Sequence, residues 1–437
     1  MKINWFSPLL PEKTDIAHYS ARIVRQLCEH AELTLWTDQK RWDSAIERIC
    51  PVRPTQQMKW ADLNYDGAAV YHIGNNPDYH TEIWRISTLH PGIVVLHDYH
   101  LQHLFGGIFK SRGNSTSYYR VMQHYYGMRG IQAARDFWNG KVTTEYMSEH
   151  FPLAEYPLEN AIGVIVHNNY SFEKIACKSR LPVALLPLPY PSTIDHETIT
   201  QHMQNRLQTA QAGCRLIVFG YLGPNRRIES VLQALAQVRN RHGFLLDIYG
   251  QVWDVELLEK KIAELGLQQQ VTIHGFVEEK ELSEALNRAH LALNLRYPTM
   301  GEASGTQLRI WDHALPSLVT RVGWYAELPS DVVWFVRPEE EISDIVSALN
   351  TFIENSHRFM EMGEQGKNYL EQWHDPKDYA QSLATFVKDV CERRTMTTAF
   401  DLAERAAAEI SIWTDGADDA QFTQQAAAIY DLFRRAS

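Results

Sequence analysis

The sequence predicts an α/β protein made of two doubly wound parallel-sheet units in tandem, facing each other across a cleft, with extra helices at the C-terminal end. Three observations predict this. Short apolar runs alternate with helix-periodic segments through the first half. The same scheme repeats in the second half. The chain, at 437 residues, also exceeds what one hydrophobic core normally supports.

In the first half KINWF, ELTLW, AAVYHIG, PGIVVLHD and AIGVIVHN read as strands, because runs this apolar are covered on both faces of a parallel sheet. IAHYSARIVRQLCEHA is the first crossover helix. Residues 111–153 form a less regular insert containing SYYRVMQHYYGMRG, where Tyr and His at helical spacing suit a core or a rim better than a binding platform. LPVALLPLPYPSTI carries three prolines within five residues and reads as an extended connector.

The second unit opens with a polar helix from about Asp195 to Gly213 and continues with strands CRLIVFGYLG, FLLDIYG, VTIHGF, LALNL, PSLVTRV and VVWFV. Helices fall at about Arg227–Arg241, VELLEKKIAELG, ELSEALNRAH, about Glu340–Asn355 and His357–His374. Asp375-Pro376 interrupts, and the helix through YAQSLATFVKDVCERR is long enough to return to the first unit. AFDLAERAAAEISIW and AQFTQQAAAIYDLFRR read as two amphipathic helices packing on it. The expected division is 1–195, 196–375 and 376–437.

Composition narrows the function. Hydrophobic content of 45% with 22% charged residues suits two buried cores. A net charge of −11 argues against duplex nucleic acid as the main partner. Cys28, Cys50, Cys177, Cys214 and Cys391 lack metal-site or disulfide-framework spacing, so no metal and a reducing compartment are expected. MKINWFSPLLPEK is read as neither a signal peptide nor a membrane span. The expected compartment is the cytoplasm, with peripheral association at the inner face of the cytoplasmic membrane as the route to a lipid-linked acceptor.

The most telling segment runs Arg296-Tyr297-Pro298-Thr299-Met300-Gly301-Glu302-Ala303-Ser304-Gly305-Thr306. It is a strand end, a small-residue loop and a helix start. Such a helix start points N–H groups and a positive dipole end at an anion, while Glu302 invites sugar hydroxyls. The plain alternative is that Glu302 is only a first-turn residue favoured by the dipole.

These residues resemble the GT-B glycosyltransferases, specifically glycosyltransferase family 4, over nearly the whole chain and most strongly from Leu216 to Pro329. The family's G-R-L-x-x-x-K loop corresponds to Gly220-Tyr221-Leu222-Gly223-Pro224-Asn225-Arg226-Arg227. The resemblance implies a diphosphate contact for Arg226, with Arg227 as second choice, and Ser304, Gly305 and Thr306 as amide donors. It gives Glu302 the first role of the family's E-x7-E motif, on donor-sugar hydroxyls. The second position reads Ile310 or, anchored on Pro316, Arg309, so the ribose contact falls to Asp312 or to backbone. Glu327 in GWYAELP would touch the nucleotide edge.

In the first unit His97, beside Asp98, matches the family's donor-facing strand-end His, where α/β sheets bind ligands. Asn75 and Asn76 offer amides to an acceptor. Thr14 and Asp15 stand where the family has a glycine-rich loop, which weakens close backbone approach to phosphate.

The resemblance implies a retaining hexosyltransferase using a nucleotide-diphosphate sugar, without cofactor or metal, on a glycan or lipid-linked acceptor in bacterial surface polysaccharide synthesis. A non-catalytic sugar-nucleotide-binding protein is the alternative. A glycoside hydrolase would need two facing carboxylates, and only Glu302 has that setting. A dehydrogenase is disfavoured because no G-x-G-x-x-G opens either sheet.

Overall fold

The computed structural model describes residues 1–393 except 61–62, 64–66, 180, 211–212 and 240–242. The two tail segments read above as amphipathic helices, 399–413 and 420–435, lie outside the described residues.

In the first lobe, strands β1 (Lys2–Phe6), β2 (Glu32–Thr37), β3 (Val52–Pro54), β4 (Ala68–Ile73), β5 (Gly92–Leu96), β6 (Ala161–Val166) and β7 (Val183–Leu185) form one sheet. Its order is β3-β2-β1-β4-β5-β6-β7, and every pairing is parallel. Helices α1 (Asp15–Leu27), α2 (Ser44–Glu47), α3 (Pro77–Leu89), α4 (Gln102–Ser111), α5 (Ser115–Trp138), α6 (Thr144–His150) and α7 (Asn169–Ala176) connect or cover the strands. β4 and β5 are buried along their whole length, which explains their unbroken apolar runs.

The second lobe follows α8 (His196–Ala210). Its sheet has the order β10-β9-β8-β11-β12-β13, again all parallel, from β8 (Cys214–Leu222), β9 (Phe244–Val252), β10 (Val271–Gly275), β11 (Leu291–Asn294), β12 (Ser317–Thr320) and β13 (Trp334–Val336). Its helices are α9 (Ile228–Gln237), α10 (Val255–Glu264), α11 (Glu279–Arg288), α12 (Gly305–Asp312), α13 (Glu341–Glu354) and α14 (Ser356–Trp373). Gly220 and Gly250 sit in register on β8 and β9 with φ of 110° and 107°. A Cβ on Gly250 would fall 2.0 Å from the Gly220 carbonyl oxygen, so that crossing admits only glycine.

Two strands differ from expectation. β3 and β7 are three-residue strands carrying only partly buried side chains, and β7 lies inside the stretch read as connector. The Tyr-rich insert is mostly helical: α5 runs 24 residues with a break at Gly127, and Tyr118, Met122 and Phe137 are buried in the first-lobe core. Helix α15 (376–393) crosses back to the first lobe, where Leu383, Val387 and Val390 join Trp5 and Ile165 in one cluster and the Tyr379 and Tyr19 hydroxyls meet at 2.6 Å. Among the described residues no helix is long and apolar enough to cross a membrane.

Buried histidines tie these pieces together. His80 Nδ1 meets the His72 carbonyl at 2.9 Å, His167 Nδ1 the Leu186 carbonyl at 2.9 Å, and His374 Nδ1 the Leu188 carbonyl at 2.7 Å. Burial pulls all three down to about 4 from an ordinary value of 6.5. Between those two values the unfolded chain binds more protons than the folded one. The stabilisation from keeping these rings neutral is therefore complete above about pH 6.5 and is lost as the pH falls towards 4. At pH 5 the loss is roughly 2 kcal/mol for each ring. Urea midpoints measured at pH 7 and pH 5 should fall accordingly, and replacing His80 by a neutral isostere should flatten the pH dependence.

Candidate active site

The cleft is built around the loop that leaves β11. Glu302 is buried, 8% exposed, and accepts from the Arg296 guanidinium, from Met300 N–H at 2.9 Å and from the Thr299 hydroxyl at 3.4 Å. Burial disfavours charge on Arg296, but Glu302 and Tyr325 outweigh it and hold the guanidinium firmly protonated. Arg226 ends the short turn Pro224–Arg226 and is also buried. Its Nη2 donates to the Phe219 carbonyl at 3.2 Å, and its Nε has no hydrogen-bond partner among the described residues. Burial, followed by the repulsion of Arg296, lowers it to about 10. Two little-exposed guanidiniums that repel one another, with Glu302 bound directly to Arg296, make a setting that favours an anion.

Helix α12 points its N-terminus into the same space. The Ser304 hydroxyl caps it, accepting Gln307 N–H at 3.1 Å, so the N–H groups of Gly305 and Thr306 remain as first-turn donors. A Cβ on Gly305 would lie 3.7 Å from Asp15 Oδ2, and one on Gly220 would lie 4.0 Å from the Thr306 hydroxyl. Asp15 belongs to the first turn of α1, whose cap is Thr14 with its hydroxyl 3.4 Å from Ile16 N. The starts of α1 and α12 thus face each other across the lobes.

Asp98 closes the first-lobe side. Its Oδ2 accepts Asn75 N–H at 2.8 Å, and burial together with the nearby Glu302 charge raises it to about 7. A carboxyl poised near neutrality beside Glu302 is the feature of this site best suited to handling hydroxyl protons.

The loop itself is gripped by the other lobe. Tyr99 and His100 N–H both donate to the Met300 carbonyl at 3.0 Å, and Asn168 Nδ2 and the Ser171 hydroxyl donate to the Gly301 carbonyl at 3.0 and 3.1 Å. Gly301 has φ of 74°, and a Cβ there would fall 2.5 Å from Tyr99 Cβ.

Several residues singled out from sequence stand elsewhere. His97 is engaged within the first lobe: its Nε2 lies 3.0 Å from His72 Nδ1 and its ring packs on Tyr19 and His167, whereas the Glu302 charge acts on Asp98. Arg227 leaves the cleft because Glu341 holds its guanidinium, at 2.8 Å from Nη2. Glu327 caps α7 across the lobes, accepting Asn169 and Tyr170 N–H at 2.9 and 2.6 Å. Asp312 is consumed by Thr193 and by the fully buried Lys367 ammonium at 2.7 Å, so it does not take the place of a ribose carboxylate. Asn76 is the cap of α3, and Asn75 serves chiefly through its backbone N–H to Asp98. Arg296 was not singled out from sequence, although a cation directly after an apolar strand at the cleft edge was signal enough.

Gly301→Ala should therefore destabilise the protein by about 2 kcal/mol or more, combining left-handed backbone strain with the collision at Tyr99. Equilibrium unfolding of the variant against wild type measures it.

With this geometry in place, comparison with known proteins is informative. Residues 208–369 match the glycosyl transferases group 1 family. No curated protein matches the chain. Among solved structures, Anabaena HepE in complex with UDP-glucose is similar at 13% identity, covering 89% of this chain and 100% of that one with a TM-score of 0.59. Sucrose-phosphate synthase from Thermosynechococcus elongatus is similar at 13% identity, covering 90% and 99%, with a TM-score of 0.59. WaaG, a glycosyltransferase involved in lipopolysaccharide biosynthesis, is similar at 15% identity, covering 89% and 99%, with a TM-score of 0.55. Two parallel-sheet lobes in the GT-B arrangement, the second matching the glycosyl transferases group 1 family, make this chain a glycosyltransferase.

Proposed function

We propose that the protein moves a hexosyl group from a nucleotide-diphosphate sugar to a glycan or lipid-linked acceptor, with retention at the anomeric carbon, in the manner of glycosyltransferase family 4. The observation that carries this reading is the buried Arg226 and the partly buried Arg296 near the N-terminus of α12, with the buried Glu302 paired to Arg296. HepE is described in complex with UDP-glucose, and a donor of that kind suits a site with this balance of charge.

In this mechanism the diphosphate lies against Arg226, Arg296 and the Gly305 and Thr306 N–H groups. The acceptor hydroxyl oxygen attacks the anomeric carbon as the bond to the diphosphate oxygen breaks. The departing oxygen takes the acceptor proton on the same face. Fixed donors aimed at the departing charge supply the main lowering of the barrier, and no metal is needed for it. Glu302 and Asp98 hold the sugar hydroxyls, Asp98 from the first lobe. A role in bacterial surface polysaccharide assembly, reached at the inner face of the membrane, agrees with the biosynthetic role stated for WaaG.

Donor identity is tested by thermal shift with UDP, GDP, ADP, dTDP and CMP: one nucleotide should raise the midpoint by several degrees, since a ligand of the folded state alone must stabilise it. No shift with any of them would sink the donor reading. Arg226→Ala and Glu302→Ala should each lower kcat/KM at least about 100-fold in a nucleotide-release assay. Retained activity above about a tenth of wild type in both would defeat the assigned roles.

Asp98, raised to about 7, is proposed to act as the carboxylate, so activity should rise with pH through about 7. Asp98→Asn should remove that limb of the profile and lower kcat.

A further inference from the structure

One turn beyond Gly305, on the same helical face, stands Arg309, 17% exposed, with its Nη2 3.1 Å from Oε1 of Glu279 at the start of α11. Three further groups enclose this pair. Tyr190 of the connector is near enough to Arg309 to help raise its pKa, and the Arg22 guanidinium lies over the Tyr190 ring at 4.2 Å from its centroid. His18, on α1 with Arg22, interacts with both Glu279 and Arg309. Side chains of both lobes and of the connector thus meet near this pair.

The two ends of the cleft differ in chemistry. Towards the first-lobe strand end, Glu302 and Asp98 lie near enough to act on each other's charge, which suits the transferred sugar. The other end, past the α12 N-terminus, must then take the nucleoside. A ribose presents two vicinal hydroxyls, which donate, and guanidiniums have no acceptor atom with which to meet them. Asp312, the nearest carboxylate along α12, is spent on Thr193 and Lys367. Glu279 is 69% exposed, with Oε1 held by Arg309, and its carboxylate is open to a ligand.

We infer that Glu279 binds the ribose hydroxyls of the donor nucleotide and that Arg309 is its positioning residue, orienting the carboxylate through the ion pair. The inference rests on the donor reading above. It assigns the ribose to a carboxylate on α11, the helix beside α12, and makes the Arg309–Glu279 pair the element that distinguishes ribonucleotides from analogues lacking the hydroxyls.

The test uses the full-length protein and the diphosphate that gives the largest thermal shift, together with its 2′,3′-dideoxy analogue, by titration calorimetry. Wild type should bind the ribonucleotide about tenfold or more tightly than the dideoxy form, as hydrogen bonds to a charged acceptor would give. Glu279→Ala should lose that preference by weakening the ribonucleotide alone, leaving the dideoxy form within about twofold of wild type. Arg309→Ala should move the same preference in the same direction. Equal binding of both nucleotides by wild type, or an equal loss of both in Glu279→Ala, overturns the assignment while leaving the donor reading standing. Failure of wild type to bind any diphosphate overturns both.

Discussion

The docking of the Thr299–Glu302 loop against the first lobe is the constraint on which the site depends. Its carbonyls at Met300 and Gly301 would be left unpaired in a buried position without the amides of Tyr99 and His100, the side-chain amide of Asn168 and the Ser171 hydroxyl. The second lobe alone therefore does not satisfy the backbone of the loop that carries Glu302. Glu327 answers from the other direction, satisfying the first N–H groups of α7. Each lobe completes the backbone hydrogen bonding of the other, and the catalytic loop is held at the seam.

Charge follows from that placement. Arg226 and Arg296 lie in a region too dry for either to be indifferent to its neighbours, and Glu302, which acts on both, is hydrogen-bonded to Arg296. The α12 N-terminus near them carries a dipole end of the same sign. Asp15 stands across the gap, so α1 also takes part in setting the field at this point. Asp98 is raised towards neutrality by the same burial and by Glu302, and one compact set of groups thus accounts both for anion affinity and for a titration in the physiological range.

The connector shows how a stretch that looks passive is made structural. Prolines led it to be read as extended chain, and part of it is β7. His167 and His374 hold its Leu186 and Leu188 carbonyls, and the buried Lys367–Asp312 pair ties Ser192 and Thr193 to α12 and α14. Breaking such a pair by removing one partner leaves an uncompensated charge, so Asp312 reads as a structural residue.

The repeated apolar runs were enough to determine two parallel sheets, since a strand buried on both faces must be apolar along its length and that pattern is local; β4, β5, β8 and β11 are legible for this reason. β3 and β7 were not, being three residues long and only partly covered. Gly301, Glu302 and Ser304 could be placed on a strand-loop-helix junction from sequence, because turn and cap chemistry is also local. What tertiary structure alone decided was partnership: Arg227 goes to Glu341, Glu327 to α7, His97 to His72 and Arg296 to Glu302. A charged or polar side chain takes whichever partner the fold brings within a few ångströms, and most of these partners come from remote parts of the chain, where no spacing rule reaches.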